Sequence, residues 1–128
     1  MNATYDDLTG LHNRRAFFLA LRQQIGCVNE KRGGLALLVV DISGFTAMNN
    51  TYGYEFGDQV LQHVGTQLGL VARARDVAAR IGDNRFALIL PGIQNSGHAE
   101  LGIQKLFRFL DIPFEASKGR VRIGVTVG

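Results

Sequence analysis

Two apolar runs, Val77 to Ile81 and Phe86 to Leu90, flank the polar stretch Gly82-Asp83-Asn84-Arg85. Strand-forming runs separated by Gly, Asp and Asn spell a β-hairpin, with its polar tip held at the edge of a sheet. Upstream, Phe17, Phe18, Leu21 and Ile25 recur at helical spacing and predict a first helix over about 14–31. Gly33-Gly34 closes that region. Leu35-Ala-Leu-Leu-Val-Val40 is a continuous apolar run, as expected of a central strand buried on both faces, and Asp41 follows it at the C-terminal end. Val60, Leu61, Val64, Leu68 and Val71 fall on one stripe, which predicts a second helix over about 57–72 packed on the sheet. Pro91 and Gly92 are expected to end the second hairpin strand. Gln94 to Leu110 reads as a third helix, with Ala99, Leu101, Leu106 and Leu110 apolar, and Phe114 to Ala116 with Val121 to Val127 as a last hairpin turned at Ser117-Lys-Gly-Arg120. The order helix, strand, helix, strand, strand, helix, strand is an α+β pattern: a βαββαβ, ferredoxin-like core with a lead-in N-terminal helix and a mostly antiparallel central sheet.

Composition narrows the class. A chain of 128 residues with 46% hydrophobic content fits one domain, 1–128, with its own core. No apolar run approaches the roughly 20 residues needed to span a bilayer, and the N-terminus lacks a secretory pattern, so a cytoplasmic location is expected. The single cysteine, Cys27, cannot form an internal disulfide and receives no role. A net charge of +3 suits an anionic ligand. The arginines are dispersed rather than massed into a stripe, so nucleic acid is not an expected partner.

Several residues stand where chemistry is done. A carboxylate at a strand end, Asp41, is either solvated or bound to something, since ligands collect at such ends. Asp58 can cap the helix that follows it while Asn49 closes a turn. Arg73-Ala-Arg-Asp76 offers a planar donor fork and an acceptor three residues apart, which by itself reads as a helix-end ion pair. By itself, Gly82-Asp83-Asn84 simply closes a hairpin.

Taken together, these stretches resemble the GGDEF domains of the diguanylate cyclase family. Asp7-Leu-Thr-Gly-Leu-His-Asn-Arg-Arg15 is similar to that family's leading motif, Asp-x-Leu-Thr-Gly-Leu-x-Asn-Arg, a structural and coupling element. Asp41-Ile-Ser-Gly-Phe-Thr-Ala-Met-Asn-Asn-Thr-Tyr-Gly-Tyr-Glu-Phe-Gly-Asp58 resembles the family's metal and base-binding stretch, matching at Asp41, Phe45, Asn49, Gly53, Gly57 and Asp58. Gly82-Asp83-Asn84-Arg85-Phe86 occupies the place of the signature Gly-Gly-Asp/Glu-Glu-Phe, keeping the first Gly and the Phe. The resemblance implies the fold of a nucleotidyl-cyclase palm. It implies Mg²⁺ held by Asp41 and the Ile42 backbone carbonyl, guanine held by Asn49 and Asp58 beside Gly82, and cyclic di-GMP held at Arg73 and Asp76 as an inhibitory site. Gln104 stands near the register of a second arginine of that site and would weaken it. The family's last helix and strand, with their phosphate-binding segment, are missing after Gly128, and the chain is expected to be cut short rather than naturally complete.

The departures bear on catalysis. Family members join two GTP molecules across a dimer by attack of a ribose 3′-hydroxyl on an α-phosphorus, and charge neutralisation by Mg²⁺ carries much of the work. Asn84 has no charge and cannot take a proton; Arg85 puts a cation where the family has Glu; Asp83 adds a side chain where the family has Gly. Ser43, Thr46, Asn50 and Tyr54 also replace family residues. The catalytic positions Asp83, Asn84 and Arg85 are thus degenerate, and Mg²⁺ binding is expected to be weakened. Three readings stay open: a regulatory module that binds GTP or cyclic di-GMP, a dimerisation or signal-relay domain that binds neither, and an active cyclase. The resemblance also implies a homodimer, and flanking sensor or EAL domains in the full-length protein.

Overall fold

The computed structural model describes residues 4–27, 33–110, 114–116, 119–121 and 125–127. Its elements run α1 (Arg14–Gly26), β1 (Gly34–Ile42), α2 (Phe45–Tyr52), α3 (Tyr54–Val71), β2 (Val77–Arg80), β3 (Arg85–Ile93), α4 (Ser96–Leu110), β4 (Phe114–Ala116), β5 (Gly119–Val121) and β6 (Val125–Val127). The main sheet has the order β2-β3-β1-β6. Every neighbouring pair in it is antiparallel, and β4 and β5 form a separate small hairpin.

The sheet is covered on both faces, and β3 shows why. Its alternate residues Phe86, Leu88 and Leu90 join Leu38, Val40 and Ile42 of β1 in a core under α3 and α4, closed by Phe56, Val60, Leu61, Val64, Leu68 and Leu106. The intervening Ala87 and Ile89 pack with Phe17 of α1 and Ala79 of β2 on the other face. Strand residues alternate faces, so a strand with two covered faces is apolar at every position. The expectation of a doubly buried strand therefore fits β3 better than β1. In β1 the face that carries Leu38, Val40 and Ile42 is buried, whereas Leu37 is 42% exposed.

Other boundaries differ for physical reasons. The first helix ends at Gly26, and residues 28–31 of the expected span lie outside the described residues. Phe17 is buried but Phe18 and Ile25 are about half exposed, so α1 docks by a narrower face than its apolar residues suggested. A helix over Phe45–Tyr52 was not expected; Gly44 at φ 65° starts it, and Gly53 at φ 96° separates it from α3. That φ belongs to the left-handed side of the map, which glycine occupies at little cost. Pro91 and Gly92 do not end β3, which continues to Ile93 with a register shift between Gly34 and Leu35 on its partner. Asp41 lies within β1 rather than after it. The last strand is divided: Gly119–Val121 pairs with β4, and Val125–Val127 pairs with β1. Residues 117, 118 and 122–124 of that expected hairpin lie outside the described residues.

Candidate functional site

The site is built where β1 ends beside the β2–β3 hairpin. The antiparallel ladder sets Asp41 directly opposite Arg85, and Val40 opposite Phe86. Directly opposed residues share a face of the sheet, so whatever stands at 85 confronts the Asp41 carboxylate. Arg85 Nε donates to Asp41 Oδ1 at 2.7 Å. The pair is open to solvent, the side chains being 56% and 39% exposed. The hydrogen bond to Asp41, then its charge, holds the Arg85 guanidinium above its already high range.

Asn84 makes the second contact across the same corner. Its Nδ2 donates to the Ile42 carbonyl at 3.1 Å, and its own carbonyl accepts from Ile42 N–H at 3.0 Å. Both groups that the family resemblance assigned to the metal, the Asp41 carboxylate and the Ile42 carbonyl, are thus held by the two substituted residues. No three His, Cys, Asp or Glu side chains come together as a metal cluster among the described residues. A small hard dication needs anionic oxygens free of competing cations. In this structure Arg85 competes for the one carboxylate, Asp41, that the corner offers.

The turn itself is closed by side-chain chemistry. Ile81 N–H and Gly82 N–H both donate to the Arg85 carbonyl, at 2.9 and 3.2 Å. Arg80 reaches over the tip, Nε donating to the Gly82 carbonyl at 3.1 Å and Nη2 to the Asp83 carbonyl at 3.0 Å. Neither Gly82 nor Asp83 takes a positive φ, so the added side chain at 83 fits without backbone strain. The same guanidinium donates through Nη1 to Asp6 Oδ1 at 3.3 Å. Asp6, rather than Asp7, therefore stands at the first position of the leading motif, where it also accepts from Thr9 N–H at 2.9 Å and Thr9 Oγ1 at 2.8 Å. Burial pushes the Asp6 carboxyl up, but the Thr9 hydrogen bonds and the Arg80 guanidinium outweigh it and leave the group below its ordinary value. His12 continues the motif along the outer edge of β2, with its N–H on the Ala78 carbonyl at 3.2 Å and its carbonyl accepting from Arg80 N–H at 2.9 Å.

The base-reading pair comes from the α2–α3 corner. Asn49 lies near the end of α2 and Asp58, exposed, in the second turn of α3. Gly57, just before Asp58, lies so close under Asn49 that a Cβ there would overlap Asn49 Oδ1. That Oδ1 is buried and has no hydrogen-bond partner among the described residues. A buried amide oxygen without a donor is uncommon in folded proteins.

At the far side, Arg73 and Asp76 bind each other. Arg73 Nε donates to Asp76 Oδ2 at 3.2 Å and Nη2 to Oδ1 at 3.1 Å, and Arg73 N–H adds a third bond to Oδ2 at 2.8 Å. The Arg73 side chain is 49% exposed and that of Asp76 only 2%. A ligand here would meet an acceptor already saturated by its neighbour. Beside the pair, a hollow of about 250 Å³ is lined by Leu38, Leu88, Leu90 and Leu101, with Lys105 at its edge. Lys105, a cation that the sequence analysis did not single out, lines it, whereas Gln104 does not.

Comparison with known proteins identifies the family of this fold. The family model "Diguanylate cyclase, GGDEF domain" matches residues 3–128. The chain is 32% identical over 126 residues to the bifunctional diguanylate cyclase/cyclic di-GMP phosphodiesterase MucR of Pseudomonas aeruginosa, covering 98% of this chain and 18% of that protein. It is 35% identical over 92 residues to the diguanylate cyclase DgcS of Shewanella oneidensis, covering 72% of this chain and 31% of that one. The chain thus spans less than a third of the length of either relative. Among solved structures, the GGDEF domain of DgcB from Caulobacter crescentus, in complex with c-di-GMP, superposes with a TM-score of 0.87 at 31% identity, over 100% of this chain and 74% of that one. The GGDEF domain of TpbB (YfiN) from Pseudomonas aeruginosa gives 0.90 at 30% identity, over 97% and 73%.

Proposed function

The chain belongs to the GGDEF domain family of diguanylate cyclases, and from that premise we propose that it is a degenerate member: a guanine-nucleotide-binding regulatory module that makes no cyclic di-GMP. The observation that carries this reading is the Arg85–Asp41 contact at 2.7 Å, which sets a guanidinium against the family's metal-binding carboxylate. Asn84 adds a neutral amide where a carboxylate would bind metal or take a proton. Losing one metal carboxylate and the proton acceptor costs several kcal/mol in the transition state, or about 10³-fold in rate or more. Binding needs less than turnover does. Asn49 and Asp58 retain the residue types whose donors and acceptors a guanine edge requires.

A second ligand position is favoured by the hollow beside Arg73, Asp76 and Lys105, which would take cyclic di-GMP once Arg73 releases Asp76. The domain works within a longer protein in cyclic di-GMP signalling, in the cytoplasm, with a sensor or an EAL domain beside it and a second copy of itself as dimer partner. No helix among the described residues is long and apolar enough to cross a membrane. The test has two parts. Incubation with GTP and Mg²⁺ or Mn²⁺ should yield no cyclic di-GMP, and clear product overturns the reading. Calorimetric titration should give a 1:1 isotherm with GTP or with cyclic di-GMP, and silence with both leaves a signal-relay domain that binds neither.

A further inference from the structure

In an antiparallel ladder, positions 41 and 85 face each other whatever their chemistry. Two carboxylates there would repel and require a cation between them. In this chain the cation is covalent. Arg85 meets Asp41 through Nε alone, and its two Nη groups have no partner among the described residues. A guanidinium anchored by one edge keeps its remaining donors in a fixed fork, the arrangement that suits phosphate oxygens. The Nη donors are also exposed at the strand end, on the side of the hairpin tip, where a ligand can reach them.

We propose that Arg85, braced on Asp41, is a tethered replacement for the metal: it binds the phosphates of a nucleoside polyphosphate directly, so that this domain takes its nucleotide without a divalent cation. Asn84 completes the arrangement by closing the Ile42 carbonyl against metal. The proposal rests on the nucleotide-binding reading above, and it separates from the family's chemistry on a single variable, the need for metal.

The test uses the whole 128-residue chain. Titration with GTP is run by calorimetry once in EDTA and once with Mg²⁺; the two affinities should agree within about threefold. Arg85→Ala should weaken GTP by about tenfold or more in both buffers, the worth of a charge-assisted hydrogen bond. In a second arm without nucleotide, Mn²⁺ is titrated and followed by electron paramagnetic resonance. The native chain should leave the free-ion signal intact, while the double variant Asn84→Asp, Arg85→Glu should quench it at concentrations about tenfold lower or less. GTP binding that appears only with Mg²⁺ overturns the proposal while leaving the nucleotide reading intact. GTP binding in neither buffer overturns that reading and the phosphate role of Arg85 together. Mn²⁺ binding by the native chain as tight as by the double variant overturns the tethered cation. Arg85→Ala, which only trims an exposed side chain, gives the comparison if the double variant fails to fold.

Discussion

At the scale of single residues, the site is decided by which atoms already have partners. Asn49 Oδ1 has none among the described residues, and it lies over Gly57 in a gap that admits no side chain. Gly57→Ala should therefore push Asn49 aside, costing about 1–3 kcal/mol of stability by overpacking and weakening GTP more than it weakens folding. Urea unfolding and calorimetry on the same variant separate the two losses. Little of this was legible beforehand. Asn49, Asp58, Asp41 and the hairpin positions could be found as residue types in a recognisable spacing. The Arg85–Asp41 pairing could not, because it depends on a strand register that no periodicity supplies. The same limit applies to Lys105, because no spacing in the sequence tells which α4 side chains line the hollow.

Elements were legible in proportion to how strongly one face is buried. The α3 stripe Val60, Leu61, Val64, Leu68 and Val71 is buried throughout and was readable as a helix from spacing alone. In contrast, α2 buries no residue fully, and its Asn and Thr content hid it from any hydrophobic pattern. The leading segment gains its order from Asp6, which ties its own turn through Thr9 and the hairpin through Arg80. Asp6→Asn should cost about 1–2 kcal/mol, read by chemical denaturation, because a charge-assisted acceptor becomes a neutral amide. The sign of the pH effect follows from the lowered folded-state pKa. The contribution of Asp6 is fully present above the ordinary aspartate value of about 3.9 and is lost as the pH falls through the lower folded value. The difference in stability between native chain and Asp6→Asn should therefore be constant near neutrality and shrink in acid.

For the molecule as a whole, β3 is the part that both cores share. Phe86 belongs to the core under α3 and α4, Ile89 to the core under α1, and each is fully buried. Phe86→Ala should cost about 3–5 kcal/mol, a large part of the stability of a domain this size. Leu101→Ala, at a residue 65% exposed, should stay within about 0.5 kcal/mol. Thermal unfolding of the two variants beside the native chain checks the contrast. The antiparallel α+β architecture was expected from element order, but the division of the last strand was not: two short strands with a break between them read as one run when the pairing partners are unknown.

The Asp6–Arg80 contact joins residues 74 positions apart and fastens the chain's first turn to the hairpin tip. That clasp lies outside the hydrophobic interior, so a change in the leading turn and a change at the hairpin tip bear on the same guanidinium.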